Sequence, residues 1–389
     1  MNRQIKFVIG ALFLGMVLFN SACQVDNDNF NLNNNPDDLT EISALPTTVL
    51  SPNNNPTSTE KVELGRALFW DPILSGAKEI SCATCHHPRF GYADGRELSS
   101  GVDGTGLGPA RRNGTLVQRN APTILNTAFN GIDLGGDYNP TAAPMFWDNR
   151  ATGLEEQALL PILSKEEMRG ELIAEADMLD TVVQRLLSIP AYQTLFEAAF
   201  GNNTINENRI GEALAAFQRT LIANNSPFDE YMRGNQNALS QAEIAGMNTF
   251  VEVGCANCHN GPMFSDFELH TLSTPDHPLV SDDGATGNFD FRTPSLRNLA
   301  FTAPYMHNGV FDDLEEVLEF YDEISGGNGD SQNPNVNDNE IDNDAEDLQL
   351  NGREIREIIS FLNTLNDDDF DTTIPQNVPS RLSVGGGID

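Results

Sequence analysis

Two short segments of the chain carry the same pattern of thiol and imidazole groups. Each has two cysteines separated by two residues and a histidine directly after the second cysteine. This spacing is typical of covalent c-type haem attachment, in which both thiols form thioether bonds and the histidine binds iron. A dithiol redox pair or half of a zinc site would not require the adjacent histidine. The sequence therefore predicts two bound haems, held by Cys82, Cys85 and His86 in the first motif and by Cys255, Cys258 and His259 in the second.

The charge of the chain restricts its partners. Lys and Arg together number 22 against 57 Asp and Glu, so the net charge is −35. Nucleic acid and anionic lipid surfaces would be repelled, and neither is expected as a partner. A basic electron-donor protein would be attracted, although an acidic surface that only keeps the protein soluble explains the charge equally well.

The first 22 residues have the layout of an export signal. Arg3 and Lys6 precede an apolar run over residues 7–19, and two small residues lead into Cys23. The run is short for a membrane-spanning helix. Cys23 is the only cysteine outside the haem motifs, and its position resembles that of the lipid-modified cysteine of bacterial lipoproteins. We expect an exported protein, periplasmic or held at the outer membrane or surface only by a lipid on Cys23; ordinary cleavage, with Cys23 lost or free, is the alternative.

Composition divides the rest of the chain. Residues 23–59 are dominated by Asn, Asp, Pro, Ser and Thr, which predicts a flexible tether. A second polar stretch, residues 326–347, predicts a solvated loop, since its acidic residues do not match the spacing of a calcium-binding EF-hand. The remainder is long enough for one domain per haem. We expect an N-terminal domain over 60–230, a C-terminal domain over 231–375 and a tail over 376–389.

The elements that must position the two motifs are predicted to be helices. Apolar residues recur at helical spacing in residues 64–69, 210–221, 239–250, 314–321 and 355–365. The first and third of these segments precede the two haem motifs, which makes a weak internal repeat. Alternating strand patterns are scarce. The predicted fold is mostly α, with two cytochrome c-like domains, each around one haem, and long loops.

A glycine-rich loop separates the first motif from the middle of the chain. Residues 101–114 contain no histidine and no methionine, so this loop offers no strong sixth ligand to the first iron. An open coordination position is one to which peroxide could bind.

The chain carries several separated motifs that match those of one protein family. It resembles the bacterial di-haem cytochrome c peroxidases and their relative MauG over about residues 62–365. The resemblance rests on Leu-Gly-Arg-Ala-Leu-Phe-Trp-Asp-Pro at 64–72, Arg-Asn-Ala-Pro-Thr at 119–123, Phe-Trp-Asp-Asn-Arg-Ala at 146–151, Gly-Cys-x-x-Cys-His-x-Gly-Pro at 254–262, Phe-Arg-Thr-Pro-Ser-Leu-Arg-Asn at 291–298 and Thr-Ala-Pro-Tyr-Met-His-Asn-Gly at 302–309.

The resemblance implies that the first haem reacts with peroxide. Reduction of peroxide moves a proton from the iron-bound oxygen to the leaving oxygen, so a carboxyl group near the iron is chemically expected. Glu167 matches the catalytic glutamate of the family and Gln157 its polar pocket partner. From spacing alone, Glu167 would be a surface residue. A shift of the family match by one residue would select Glu166 instead. Trp147 resembles the tryptophan that relays electrons between the haems, although tryptophan is more often a packing residue.

The resemblance also implies ligands around the second haem. Asn120, Thr302 and Pro304 match a calcium site near the haem interface. The second iron takes a methionine in the peroxidases and a tyrosine in MauG, and the matching position here is Tyr321. A phenolate stabilises oxidised iron, whereas methionine favours the reduced state. The alternative is that Tyr321 packs in the core and nearby Met306 is the ligand.

Two departures bear on the function. The loop before the Arg-Asn-Ala-Pro-Thr motif lacks the histidine with which many of these peroxidases close the first haem, and Val253 stands where MauG has a surface tryptophan. We expect a di-haem enzyme that reduces hydrogen peroxide to water with electrons from an external donor such as a small cytochrome. The alternatives are a MauG-like oxidase that modifies a residue, such as tryptophan, of a partner protein, and a two-haem electron carrier without catalysis.

Overall fold

The structure is a computed structural model that describes residues 41–326 and 330–388. The predicted export signal over 1–22, Cys23 and the first part of the predicted tether lie outside the described residues. Within the described ranges, no helix is long and apolar enough to cross a membrane.

The described part of the chain is mostly helical, as the sequence predicts. Its α-helices are α1 (Thr59–Trp70), α2 (Cys82–Cys85), α3 (Gly153–Gln157), α4 (Leu160–Leu163), α5 (Glu175–Leu187), α6 (Pro190–Phe200), α7 (Glu207–Gln218), α8 (Pro227–Met232), α9 (Gln241–Glu252), α10 (Leu314–Glu323), α11 (Asn343–Glu346) and α12 (Gly352–Leu362). A π-helix, a turn wider than an α-helix, covers Lys165–Arg169. All five segments with helical apolar spacing overlap helices. Helix N-termini are fixed by side-chain caps, as where Asn206 accepts from the backbone N–H of Arg209 at 2.9 Å before α7.

The helix before each haem motif packs against a later helix in the same way. In α1, a Cβ on Gly65 would lie 2.0 Å from the carbonyl oxygen of Ala213 in α7, and in α9 a Cβ on Gly246 would lie 2.0 Å from that of Glu357 in α12. Only glycine permits such a close approach of two backbones. The weak internal repeat in the sequence therefore corresponds to a repeated helix pair, one beside each motif.

Two main hydrophobic clusters surround these helix pairs. The first includes Leu64, Phe69 and Phe217, and the second includes Phe250, Phe264 and Phe361. In the second cluster, the Phe250 and Phe361 ring centres lie 5.3 Å apart and those of Phe264 and Phe361 lie 6.0 Å apart. Aromatic rings at these distances contribute beyond the burial of their area. The division into domains at residues 230 and 231 stays a prediction.

Two short antiparallel ribbons are the strands of the described residues. Strand β1 (Pro144–Met145) pairs with β2 (Ala151–Thr152), and β3 (Leu269–Thr271) pairs with β4 (Asp290–Arg292). The loop between β1 and β2 carries Trp147. The backbone N–H of Arg292 donates to the Trp147 carbonyl at 2.7 Å, so the second ribbon holds this loop in place.

The structure differs from the expected flexible tether where it describes that segment. Ile42 is 1% exposed and forms a β-bridge to Gly261, while the backbone N–H of Leu45 donates to Asp229 at 3.0 Å. The few apolar residues of this polar segment therefore dock on the body of the protein, and the prediction of a tether over residues 41–59 is wrong.

The segment expected to be a solvated loop also packs against the body in part. Val336, Ile341 and Ala345 are buried in one hydrophobic cluster, and the backbone N–H of Asp342 donates to Thr271 at 2.9 Å. Apolar residues spaced among the acidic ones anchor residues 330–347 at these points, while most of the segment is exposed to solvent as predicted. The tail is likewise anchored, since the Thr84 hydroxyl donates to the carbonyl of Gly385 at 2.9 Å.

Candidate active site

The first haem motif opens on a cavity of about 640 Å³, called the first cavity below. Cys82 and Cys85 line it as free thiols, and burial raises the pKa of Cys82 to about 12. The Nδ1 of His86 lies 2.9 Å from the carbonyl oxygen of Tyr92. This contact assigns the ring proton to Nδ1 and leaves Nε2 available to a metal. Two free thiols and an oriented neutral imidazole are the donor set that a c-type haem requires, so these residues fit the group.

Glu167 lines the same cavity. It lies in the π-helix, and its backbone N–H donates to the Ser164 hydroxyl at 3.3 Å. Burial raises the pKa of Glu167 above its usual value, and the charge of Glu166 adds to this, while Arg150 and Ser164 act in the opposite direction. Glu166 also lines the cavity but is exposed, whereas Glu167 is partly buried. The partly buried carboxyl group, whose pKa is raised, is therefore the one that the resemblance selects.

Two glycines fix the π-helix from opposite loops. A Cβ on Gly101 would lie 1.8 Å from the carbonyl oxygen of Glu166, and a Cβ on Gly76 would lie 1.9 Å from that of Arg169. The backbone N–H of Gly76 donates to the carbonyl of Met168 at 2.8 Å. The glycine-rich loop therefore does more than border the cavity, because its first residue sets the position of Glu167.

Gln157 and Arg150 complete the polar wall of the first cavity. Gln157 is the last residue of α3 and lines the cavity with Glu167. The guanidinium carbon of Arg150 lies 3.6 Å from the centre of the Phe146 ring, and its NH1 lies 2.8 Å from Asp148. Sequence reasoning did not select Arg150, although it stands within the Phe-Trp-Asp-Asn-Arg-Ala motif. The positive charge of Arg150 is the largest of the effects that lower the pKa of Glu167.

Trp147 borders the first cavity and also a second one. It is 9% exposed, and its indole N–H donates to the carbonyl of Asn120 at 3.0 Å. Phe146, directly before it, has φ of 68°, in a left-handed region that is unusual for a bulky residue. Such strain persists only where the surroundings impose it, and it is common at functional sites. Trp147 is thus held rigidly between the two cavities.

The second motif lines the second cavity, of about 220 Å³, with the same donor set. The Nδ1 of His259 lies 3.0 Å from the carbonyl oxygen of Phe264, which again leaves Nε2 available. Cys255 and Cys258 are free thiols on the cavity wall, and burial raises the pKa of Cys255 to about 12. These residues fit a second c-type haem as well as those of the first motif do.

Both candidates for the other axial ligand of the second haem line the second cavity. Tyr321 lies on α10 and Met306 in the loop before it. Burial raises the pKa of Tyr321, and its phenol lines the same cavity as the Cys255 and Cys258 thiols. Met306 packs in the cluster that also includes Phe320. Tyr321 and the second motif are thus brought together, while the choice between Tyr321 and Met306 stays open.

The predicted calcium ligands converge in part. The Asn120 side-chain amide nitrogen lies 2.7 Å from the carbonyl oxygen of Arg96 and 3.5 Å from that of Pro304. Thr302 lies on the wall of the second cavity with Asn120 and Pro304. Several oxygen atoms around one side chain suit a hard cation, provided that the Asn120 amide turns its oxygen toward them.

An imidazole beside the second motif was missed by sequence reasoning. His270 lies between two carboxylates, with Nδ1 at 2.8 Å from Asp342 and Nε2 at 3.0 Å from Asp266. Asp266 first, then Cys258 and Asp342, raise the pKa of His270 to about 11, against the effect of burial. No motif surrounds these residues in the sequence, and Asp342 comes from the segment that was expected to be solvated. Only the fold brings them together.

Known proteins are similar to this chain along most of its length. Residues 59–237 match the family model described as di-haem cytochrome c peroxidase. The chain is 32% identical over 363 residues to the methylamine utilization protein MauG of Methylophilus methylotrophus, a match that covers 91% of this chain and 96% of that protein. It is 31% identical over 336 residues to the cytochrome c551 peroxidase of Nitrosomonas europaea, over 84% of this chain and 86% of the relative. A solved structure of a MauG-like protein associated with microbial copper homeostasis matches with a TM-score of 0.67 and 28% identity, over 83% of this chain and 95% of that one.

The chain belongs to the di-haem cytochrome c peroxidase family. It is an oxidoreductase of the haem peroxidase type, and the family implies two c-type haems, in agreement with the donor sets in the two cavities. The recognition made from the sequence motifs is therefore confirmed. The family includes both peroxidases and MauG, so membership defines the class of chemistry and leaves the particular reaction open.

Proposed function

We propose that the protein reduces hydrogen peroxide to water at the first cavity, with electrons from an external donor. The observation that carries this proposal is that Glu167 shares one cavity with Cys82, Cys85 and His86. Burial raises the pKa of the Glu167 carboxyl above its usual value. A haem bound by the first motif supplies the iron that binds peroxide and delivers electrons to it. Two electrons and two protons then convert one peroxide molecule into two water molecules.

Glu167 moves the proton that this reaction requires. With a haem held by the first motif, the Glu167 carboxylate would take a proton from one oxygen of peroxide and deliver it to the other, which would leave as water. The Gln157 amide, on the same wall, orients peroxide by hydrogen bonding. The exposed Glu166 is not part of this relay. Such proton transfer contributes about 10²- to 10⁴-fold to a rate.

Trp147 and the second motif supply the electrons. Trp147 borders both cavities, so its indole ring lies on the short route between them. His259 and Tyr321, on the wall of the second cavity, would hold the second haem, which would supply the site for electrons from the donor. A small cytochrome with a basic surface suits this acidic chain as donor, because opposite charges accelerate association. Asn120, Thr302 and Pro304 bind a calcium ion between the two haem sites.

The remaining proposals concern location and organisation. The protein is exported by residues 1–22 and is periplasmic or held at the membrane surface by a lipid on Cys23. Residues 60–230 and 231–375 form two cytochrome c-like domains, one for each haem. Both follow from the sequence patterns, and covalent haem attachment outside the bacterial cytoplasm agrees with export.

A second candidate function is oxidation of a residue, such as tryptophan, on a partner protein, as in MauG. The presence of Tyr321 on the second cavity wall favours it, because a phenolate ligand stabilises oxidised iron. Val253 argues against the surface route that the resemblance implies for MauG. This residue directly follows α9 as its C-terminal cap and packs against the second hydrophobic cluster, so no aromatic side chain stands there to pass an oxidising equivalent outward.

Electron paramagnetic resonance of the oxidised protein, followed by addition of peroxide, tests the proposal. A high-spin ferric signal that disappears with peroxide, together with sustained peroxide consumption when a reduced cytochrome is supplied, is expected. Two low-spin signals with no reaction would show an electron carrier instead. Rapid reaction with peroxide without sustained turnover by any cytochrome would favour the MauG-like oxidase.

A further inference from the structure

One buried cation faces both cavities. Arg292 is the last residue of β4, and its side chain lines the first cavity and the second. The residue is only 9% exposed. Its Nε donates to the carbonyl of Phe146 at 2.7 Å, and its guanidinium carbon lies 5.7 Å from the centre of the Phe267 ring. The hydrogen bond uses one of the five N–H donors of a guanidinium.

The other buried arginines of the described residues each have an ion pair or several hydrogen bonds. Arg297 pairs with Asp229 at 2.9 Å, and Arg219 pairs with Glu155 at 2.8 Å. Arg111 donates to backbone carbonyls through Nε, NH1 and NH2. Within the described ranges, Arg292 alone among these four has neither an ion pair nor more than one hydrogen bond.

The protein offers Arg292 little negative charge. Asp148 attracts it from a distance, but this carboxylate is already paired with Arg119 at 2.7 Å and with Arg150 at 2.8 Å. Burial lowers the pKa of Arg292 to about 10, and Asp148 offsets this only in part. The guanidinium is therefore still charged at neutral pH, buried and without an ion-pair partner of its own.

An unpaired buried charge is costly unless an anion occupies the space beside it. The anion must fit a cavity that also holds a haem-binding motif. Hydrogen peroxide is neutral and cannot serve as the counter-ion. Each c-type haem carries two propionate carboxylates, and a guanidinium binds a carboxylate through two parallel hydrogen bonds.

We propose that Arg292 binds a haem propionate and thereby raises the reduction potential of that haem. This inference rests on the two haems of the proposed function but not on its reaction. A fixed positive charge stabilises ferrous iron relative to ferric iron, because the ferrous state carries one positive charge less. Since Arg292 lines both cavities, the propionate comes from the first haem or the second, and a titration that resolves the two haems identifies which.

The test is a redox titration followed by absorbance, with Arg292→Gln compared with Arg292→Lys. In Arg292→Gln, the ferric-to-ferrous equilibrium of one haem is expected to shift about tenfold toward ferric, equivalent to about 59 mV. Arg292→Lys keeps the charge and is expected to stay within about twofold of wild type. Arg353→Gln removes a charge from α12, where the side chain is 66% exposed and lines neither cavity, and should leave both potentials unchanged.

Two outcomes would overturn the inference. Unchanged potentials of both haems in Arg292→Gln would show that Arg292 acts on neither. Equal shifts in Arg292→Gln and Arg292→Lys would show that the Nε donor to the Phe146 carbonyl, which neither variant has, matters rather than the charge.

A second measurement decides the matter if Arg292→Gln does not retain both haems. The propionate carboxylate bands in a redox-induced infrared difference spectrum should shift between wild type and Arg292→Lys, and unshifted bands would contradict the inference. Failure of the proposed function looks different. A wild-type protein with two haems and no reaction with peroxide would overturn the proposed reaction and leave the role of Arg292 to be judged by the titration.

Discussion

Replacement of Gly101 by alanine should displace Glu167 and so lower the activity, although Glu167 itself is unchanged. The new Cβ would lie 1.8 Å from the carbonyl oxygen of Glu166, whereas real Cβ contacts are essentially never below 3.0 Å, so the π-helix must move by at least about 1.2 Å. Displacing a catalytic group by about 1 Å can cost about 10²-fold in rate. Overpacking of this kind also costs about 1–3 kcal/mol of stability.

The assay is peroxide consumption with an excess of reduced donor, alongside thermal unfolding. Gly101→Ala is expected to lower kcat about 100-fold while both haem absorbance bands are retained. Gly352→Ala is the matched control, because the nearest atom to its new Cβ is a flexible arginine nitrogen 3.6 Å away. A Gly101→Ala protein with kcat within threefold of wild type would refute the role of this glycine in positioning Glu167.

Two further predictions concern charge and ligation. Burial alone would raise the pKa of Asp282, but the hydrogen bonds and charge of Arg119 outweigh it and hold that pKa below its usual value of 3.8. This stabilisation is present above pH 3.8 and is lost as pH falls through the folded-state pKa. Asp282→Asn should therefore lower the free energy of unfolding at pH 7 by about 3 kcal/mol, and the difference from wild type should shrink in acid. An equal difference at pH 7 and pH 2 would contradict this. Tyr321→Phe should change the absorbance and paramagnetic resonance of the second haem while Met306→Leu should not, and the reverse result would assign the ligand to Met306.

Much of the chemistry could be predicted from the sequence because it depends on local spacing. Cys82, Cys85 and His86 lie within five residues, so their joint role does not depend on the rest of the fold. The helices were predictable for the same reason, as with α12, whose apolar residues recur on one face and are buried there. Gly65 and Gly246 show that even the helix repeat has a signal in the sequence, since each stands in the helix before a motif.

Features that depend on distant segments could not be predicted. His270 lies between Asp266, which is four residues before it, and Asp342, which is 72 residues away and reaches it only in the fold. Arg292 lies within a motif, but the motif does not show that its side chain borders two cavities and has no ion-pair partner. The segments around Ile42 and Ile341 are polar in overall composition, and composition alone assigns them to solvent. A few buried apolar side chains nevertheless fix these segments to the body of the protein.

The central claim is that Glu167 transfers the proton in peroxide reduction. Its most direct test is the kcat for peroxide consumption of Glu167→Gln, measured beside Glu166→Gln, which makes the same chemical change one residue earlier on an exposed side chain. We expect Glu167→Gln to lose about 10²- to 10⁴-fold in kcat, with both haems retained, and Glu166→Gln to remain within threefold of wild type. Equal activity of the two variants, or a loss confined to Glu166→Gln, would contradict the account.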